Sequence, residues 1–152
     1  MLKKILFIFL LILLSFLIVY FFLFNDSYKK SLQARVYFGL GEYDKAYMLS
    51  NEAYLKDPYN RMALTILNAS KASLKYKKYI KDAKKYLIQI KKISGKKSIT
   101  PSELAKIKLI CEVMTGQYEK LKPIVISDGD LVENSTKEYK KFKKIYEELF
   151  KK

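Results

Sequence analysis

Residues 37–46 read YFGLGEYDKA: a tyrosine, two glycines two apart, a second tyrosine, and an alanine three residues after it. The stretch is either one ordinary helix-to-helix turn or the first beat of something that recurs. Sliding the chain against itself aligns LGEYDKA (40–46) with KKYIKDA (77–83) and with TGQYEKL (115–121). Tyr43, Ile80 and Tyr118 then share one column, and Ala46, Ala83 and Leu121 share another. Spacings of 37 and 38 residues lie in the range that marks arrays of helical hairpins, so the stretch is a recurring beat.

The segments between these beats carry helical periodicity. Tyr43, Ala46, Tyr47, Ser50, Ala53 and Tyr54 follow the spacing of one helix face, as do Tyr79, Ile80, Ala83, Tyr86, Leu87 and Ile90, and again Leu104, Ile107, Cys111 and Met114. Lysines occupy the far side of each. Asp57-Pro58-Tyr59-Asn60 predicts a turn with Asn60 as the next N-cap. Thr100, Pro101 and Glu103 predict a capping box with proline at the first helical position, and 94–100 (SGKKSIT) is the loop before it. Only IVIS (124–127) has the composition of a short strand.

The first segment is of another kind. After a short basic tail (1–4, with Lys3 and Lys4), residues 5–24 read ILFIFLLILLSFLIVYFFLF, uncharged throughout. A helix of that length spans about 30 Å, so a transmembrane anchor is expected; a removable signal is the alternative, disfavoured by the long apolar run and its FFLFNDS ending. No cysteine lies nearby to carry a lipid. Basic residues flank both ends, and the expected arrangement is a cytoplasmic N-terminus with the remainder exported from a bacterial inner membrane into the periplasm.

With 152 residues and half of them hydrophobic, the chain has material for one small domain besides this segment. One cysteine and no histidine exclude an intrachain disulfide and leave no zinc or redox chemistry to expect. Beyond residue 4 there remain 28 basic side chains against 15 acidic ones. That imbalance attracts an acidic protein, anionic headgroups or nucleic acid. Only Arg35 and Arg61 are arginine, and bidentate phosphate and base recognition favours arginine, so no nucleic-acid partner is expected. The lysine, isoleucine and tyrosine bias without tryptophan is also what an A/T-rich genome produces.

Residues 27–60 resemble a tetratricopeptide repeat, a pair of antiparallel helices in about 34 residues. Ala34, Tyr37, Gly41, Tyr43, Ala46, Ala53 and Pro58 stand where that family places its small residue, tyrosine, turn glycine, turn aromatic, two alanines and proline. Lys30, Gln33 and Ser50 depart from it; the second unit lacks both glycine and proline, and Pro123 interrupts the third. The fold expected is all-α: the transmembrane helix read from 5–24, then, as the resemblance implies, about three hairpins over 25–133, and a capping helix over 134–152. That last helix is predicted from a Ser135/Glu138 capping box and the stripe Tyr139, Phe142, Ile145, Tyr146, Leu149 and Phe150.

By the same resemblance, the first helix of each hairpin lines a groove for a partner's peptide or helix. The positions carried over are Ser31, Arg35 and Phe38, then Met62, Thr65 and Ala69, then Lys106, Ile110 and Val113. Ile66 replaces an asparagine of the family's carboxylate clamp, so a C-terminal carboxylate is not the expected ligand. Asp128, Asp130 and Glu133, with Asn134, supply oxygen ligands of the kind calcium takes, without EF-hand spacing. No phosphate loop, histidine base or nucleophile elbow is present, so no catalysis and no cofactor are expected. The function expected is a membrane-anchored adaptor, its exported domain positioning a protein partner in a bacterial envelope assembly such as a flagellar motor or secretion machine. The alternative is an anchored ligand-binding module whose 127–134 loop takes a divalent cation.

Overall fold

The computed structural model describes residues 2–121 and 128–151, and of residues 2, 3 and 21–24 the backbone alone. Every described element is a helix: α1 (Leu2–Phe24), α2 (Asp26–Gly39), α3 (Tyr43–Lys56), α4 (Arg61–Ser94), α5 (Pro101–Glu119) and α6 (Gly129–Phe150). They fall into two compact units, Met1–Ser70 and Lys71–Lys152, with α4 contributing to both. The IVIS stretch and Pro123 lie outside the described residues.

The anchor expectation is corrected. Among the described residues no helix is long and apolar enough to cross a membrane. The transmembrane, single-pass, signal-anchor and inner-membrane readings therefore do not stand.

In unit 1 the opening stretch forms a turn between two helices. Gly41 is the one described residue outside the usual backbone regions, at φ 75°, and it ends α2. The Glu42 N–H reaches back to Tyr37 O at 2.9 Å and the Gly41 N–H to Phe38 O at 3.0 Å, the paired bonds of a Schellman turn. The chain reverses, and α3 packs on α2 through Ala34 and Ala46, both fully buried with Ile66 of α4. Small side chains permit that approach. Lys30–Glu52 and Lys56–Asp26 ion pairs tie the outer edges of the two helices.

Beyond the first hairpin the repeat does not continue as hairpins. α4 is a single helix of 34 residues, and it runs straight through KKYIKDA. In the column opened by Tyr43, the three residues hold three different places: Tyr43 begins α3, Ile80 lies within α4 and Tyr118 falls near the end of α5. Lys78 and Gly116, which align with Gly41, are both helical. Nothing from 70 to 80 is glycine or proline, so the helix has no reason to stop.

Unit 2 packs the rest of α4 with α5 and α6 around Tyr79, Ala83, Ile90, Ile93, Ile107, Ile110, Cys111, Met114 and Phe142. The α5 N-terminus carries the capping box read from sequence: Glu103 N–H to Thr100 Oγ1 at 3.2 Å, and Thr100 N–H to Glu103 Oε2 at 3.0 Å. The α6 N-terminus differs from expectation. It begins at Gly129, because Asp128 Oδ1 accepts the N–H groups of Asp130 and Leu131 at 2.9 and 3.2 Å. Ser135 then sits inside the helix, its hydroxyl donating to Val132 O at 2.8 Å, and forms no capping box with Glu138. From there Tyr139, Phe142, Ile145, Tyr146 and Phe150 pack on the core, while Leu149 is exposed.

Lys96, together with the Thr100 N–H and hydroxyl, holds the Glu103 carboxyl down to about 2. A carboxyl depressed on folding stabilises the folded state above its ordinary range and loses that contribution as pH falls toward 2. Acid unfolding of the full chain is therefore expected to begin at a lower pH than in Glu103→Gln, which is already without it at neutral pH. Thr100→Ala is expected to cost about 1 kcal/mol, measured by urea unfolding at pH 7.

Candidate interaction surfaces

The N-cap of α4 is also the lock of unit 1. Asn60 is fully buried, and its Oδ1 accepts the Ala63 N–H at 3.1 Å. Its Nδ2 donates to Ser27 Oγ at 2.9 Å and to Ser31 Oγ at 3.2 Å. Each serine passes its own proton on, Ser27 to Ala53 O and Ser31 to Tyr28 O, both at 2.9 Å. One amide thereby joins α2, α3 and α4, leaving none of its polar atoms idle.

This lock settles which side of α2 faces inward. Ser27, Ser31 and Ala34 are buried, with Phe38 beside them. Leu32, Val36 and Leu40, four residues apart, form the opposite stripe and are 57%, 57% and 67% exposed. Lys29 and Arg35 flank the stripe and are exposed. Sequence reading missed these three apolar positions, whose four-residue spacing on one face was the available signal.

Of the positions carried over from the repeat family, Ser31 and Ala69 are fully buried and Ile110 is core, so none of the three is available to a partner. Phe38 and Met62 are half-buried and pack against the unit 1 core, and Arg35 and Thr65 are exposed in the same unit. In unit 2, Lys106 and Val113 are exposed on α5, on the side that also presents Leu109 at 60% exposure.

The acidic residues of 127–134 do not converge. Asp128 is occupied as an N-cap and Glu133 pairs with Lys137 at 2.6 Å; Asp130 and Asn134 are exposed helical positions, and Ser127 lies outside the described residues. Among the described residues no group of three or more potential ligands is placed to hold a metal. A different recess of about 180 Å³ lies between α5 and α6, with Glu112, Glu119 and Glu147 facing Lys143 and Lys151. Tyr146 donates to Glu112 Oε1 there at 3.4 Å. Its charges are mixed and open to solvent, so it offers no buried acid–base pair.

The remaining chemistry is internal. Tyr118 stacks on Tyr139 at 4.3 Å and its hydroxyl lies 2.9 Å from Thr136 Oγ1, while burial pushes the Tyr79 phenol beyond its ordinary range. Burial likewise pushes the Cys111 thiol up to about 11, which keeps it protonated and unreactive. Compared with protein-family models, curated proteins and solved structures, the chain matches none.

Proposed function

We propose that the chain is a protein-interaction adaptor that performs no reaction of its own and offers rigid helix faces to a partner protein. The observation that carries this reading is the α2 stripe: Leu32, Val36 and Leu40 stand exposed on a helix whose other side is fixed by the Asn60 network. Exposed apolar residues in a row on a preorganised helix bind a partner at little entropic cost. The partner that fits is the apolar face of an amphipathic helix with acidic residues toward Lys29 and Arg35. The likeness of 27–60 to a tetratricopeptide unit supports the same reading, since Gly41 forms the turn and Ala34, Ala46 and Ala53 are fully buried between helices.

The test is co-purification after crosslinking of the tagged full chain in its native cells, beside Leu32→Ser/Val36→Ser/Leu40→Ser. Exposed positions of this kind change stability little, so the variant is expected to fold. A stoichiometric partner reduced about tenfold or more in the variant is the expected result for anchors of this kind. A partner retained in full, or none recovered from the wild type, contradicts the reading.

A further inference from the structure

We propose that the outer face of α4 in unit 2 is a docking strip for an acidic amphipathic helix of a partner protein. The inference deepens the adaptor reading and rests on it. From residue 71 to its end α4 carries nine lysines and one carboxylate, Asp82. Positions 71, 74, 78, 81, 85, 88 and 92 recur every three or four residues and so run down a single side.

That side reads Lys71, Leu74, Lys78, Lys81, Lys85, Ile88, Lys92. All five lysines are exposed, Leu74 is half-buried and Ile88 is 69% exposed, while Tyr79, Ala83 and Ile90 point the other way into the core. None of the five forms an ion pair with a described residue. Asp82 is half-buried at the edge of a recess it shares with Lys75, Lys78 and Tyr79, and it offsets at most one charge. Like charges three and four apart weaken a helix, and folding of this unit draws nothing from them. An anionic partner laid along the strip, about 30 Å long, would relieve that repulsion.

The side chains between the lysines select the kind of anion. Leu74 and Ile88 stand two heptads apart on the same line and give apolar footholds that a phosphate backbone has no use for. The strip has no arginine for bidentate phosphate contacts and no aromatic ring for stacking bases. A single row on a convex helix meets a line of charge rather than a plane of headgroups. A partner helix with leucine or isoleucine two heptads apart and glutamates between satisfies both the charge and the footholds.

The probe is a fluorescein-labelled helical peptide of about 21 residues built to that pattern, titrated with the full chain and read by fluorescence anisotropy. Binding is expected to weaken about tenfold between roughly 50 and 300 mM salt. Lys78→Glu/Lys81→Glu/Lys85→Glu, with helicity checked by circular dichroism, is expected to weaken it a further tenfold or so, and Ile88→Ser about fivefold. Unchanged affinity in either variant overturns the proposal. So does tighter binding of an oligo-dT strand or of phosphatidylglycerol vesicles than of the peptide. Leu32→Ser/Val36→Ser/Leu40→Ser is expected to bind the peptide as the wild type does. A failed strip with partner capture intact therefore overturns this inference alone, and failed capture with peptide binding intact overturns the adaptor reading.

Discussion

Lys78→Pro is expected to destabilise unit 2 by about 3 kcal/mol or more, because it removes an intrahelical hydrogen bond and drives the proline ring into the preceding turn. Lys78 is the residue that aligns with Gly41, and a second hairpin would place it in a turn, where proline is often neutral. In the structure it lies well inside α4, with sixteen helical residues following it up to Ser94. Urea unfolding followed by helicity measures the difference. A loss below about 0.5 kcal/mol, the range of ordinary surface substitutions, would mean that α4 is broken near this point.

Asn60→Ala is expected to cost unit 1 about 3 kcal/mol. Roughly 1 kcal/mol is the lost N-cap on the Ala63 N–H. The rest comes from Ser27 and Ser31, whose buried oxygens lose their shared donor while their protons remain committed to Ala53 O and Tyr28 O. Asn60→Asp separates the two effects: it keeps the cap acceptor but sets a carboxylate oxygen against the serine oxygens, so it is expected to recover little of the loss. An Asn60→Asp protein as stable as the wild type would show that the amide donor contributes nothing. Hydrogen exchange of the α2 and α3 amides reads the effect locally.

Local chemistry made much of this fold legible from sequence. Gly41, the Thr100–Glu103 box and the Asn60 cap each depend on residues within a few positions, and each formed as read. The internal alignment failed as a guide to hairpins because it matched Tyr43 with Ile80 and ignored the breaker: with lysine in place of glycine at 78, helix propagation is cheaper than a turn. At α6 two caps competed, and Asp128 took the position ahead of Ser135. Ser31 is a groove position only by analogy with the repeat family; its partner Asn60 lies 29 residues away, and no periodicity announces such a pairing. The α4 lysines were legible as the far side of an amphipathic segment; that they form one row from Lys71 to Lys92 becomes apparent once the helix is known to be unbroken.

The adaptor reading turns most directly on whether the α2 stripe touches another protein in the cell. A photo-crosslinking residue at Val36, compared with one at Lys140 on the exposed side of α6, measures this in the full chain. The account predicts a discrete crosslinked species from position 36 that position 140 does not give. No adduct from position 36, or the same adducts from both positions, would contradict it.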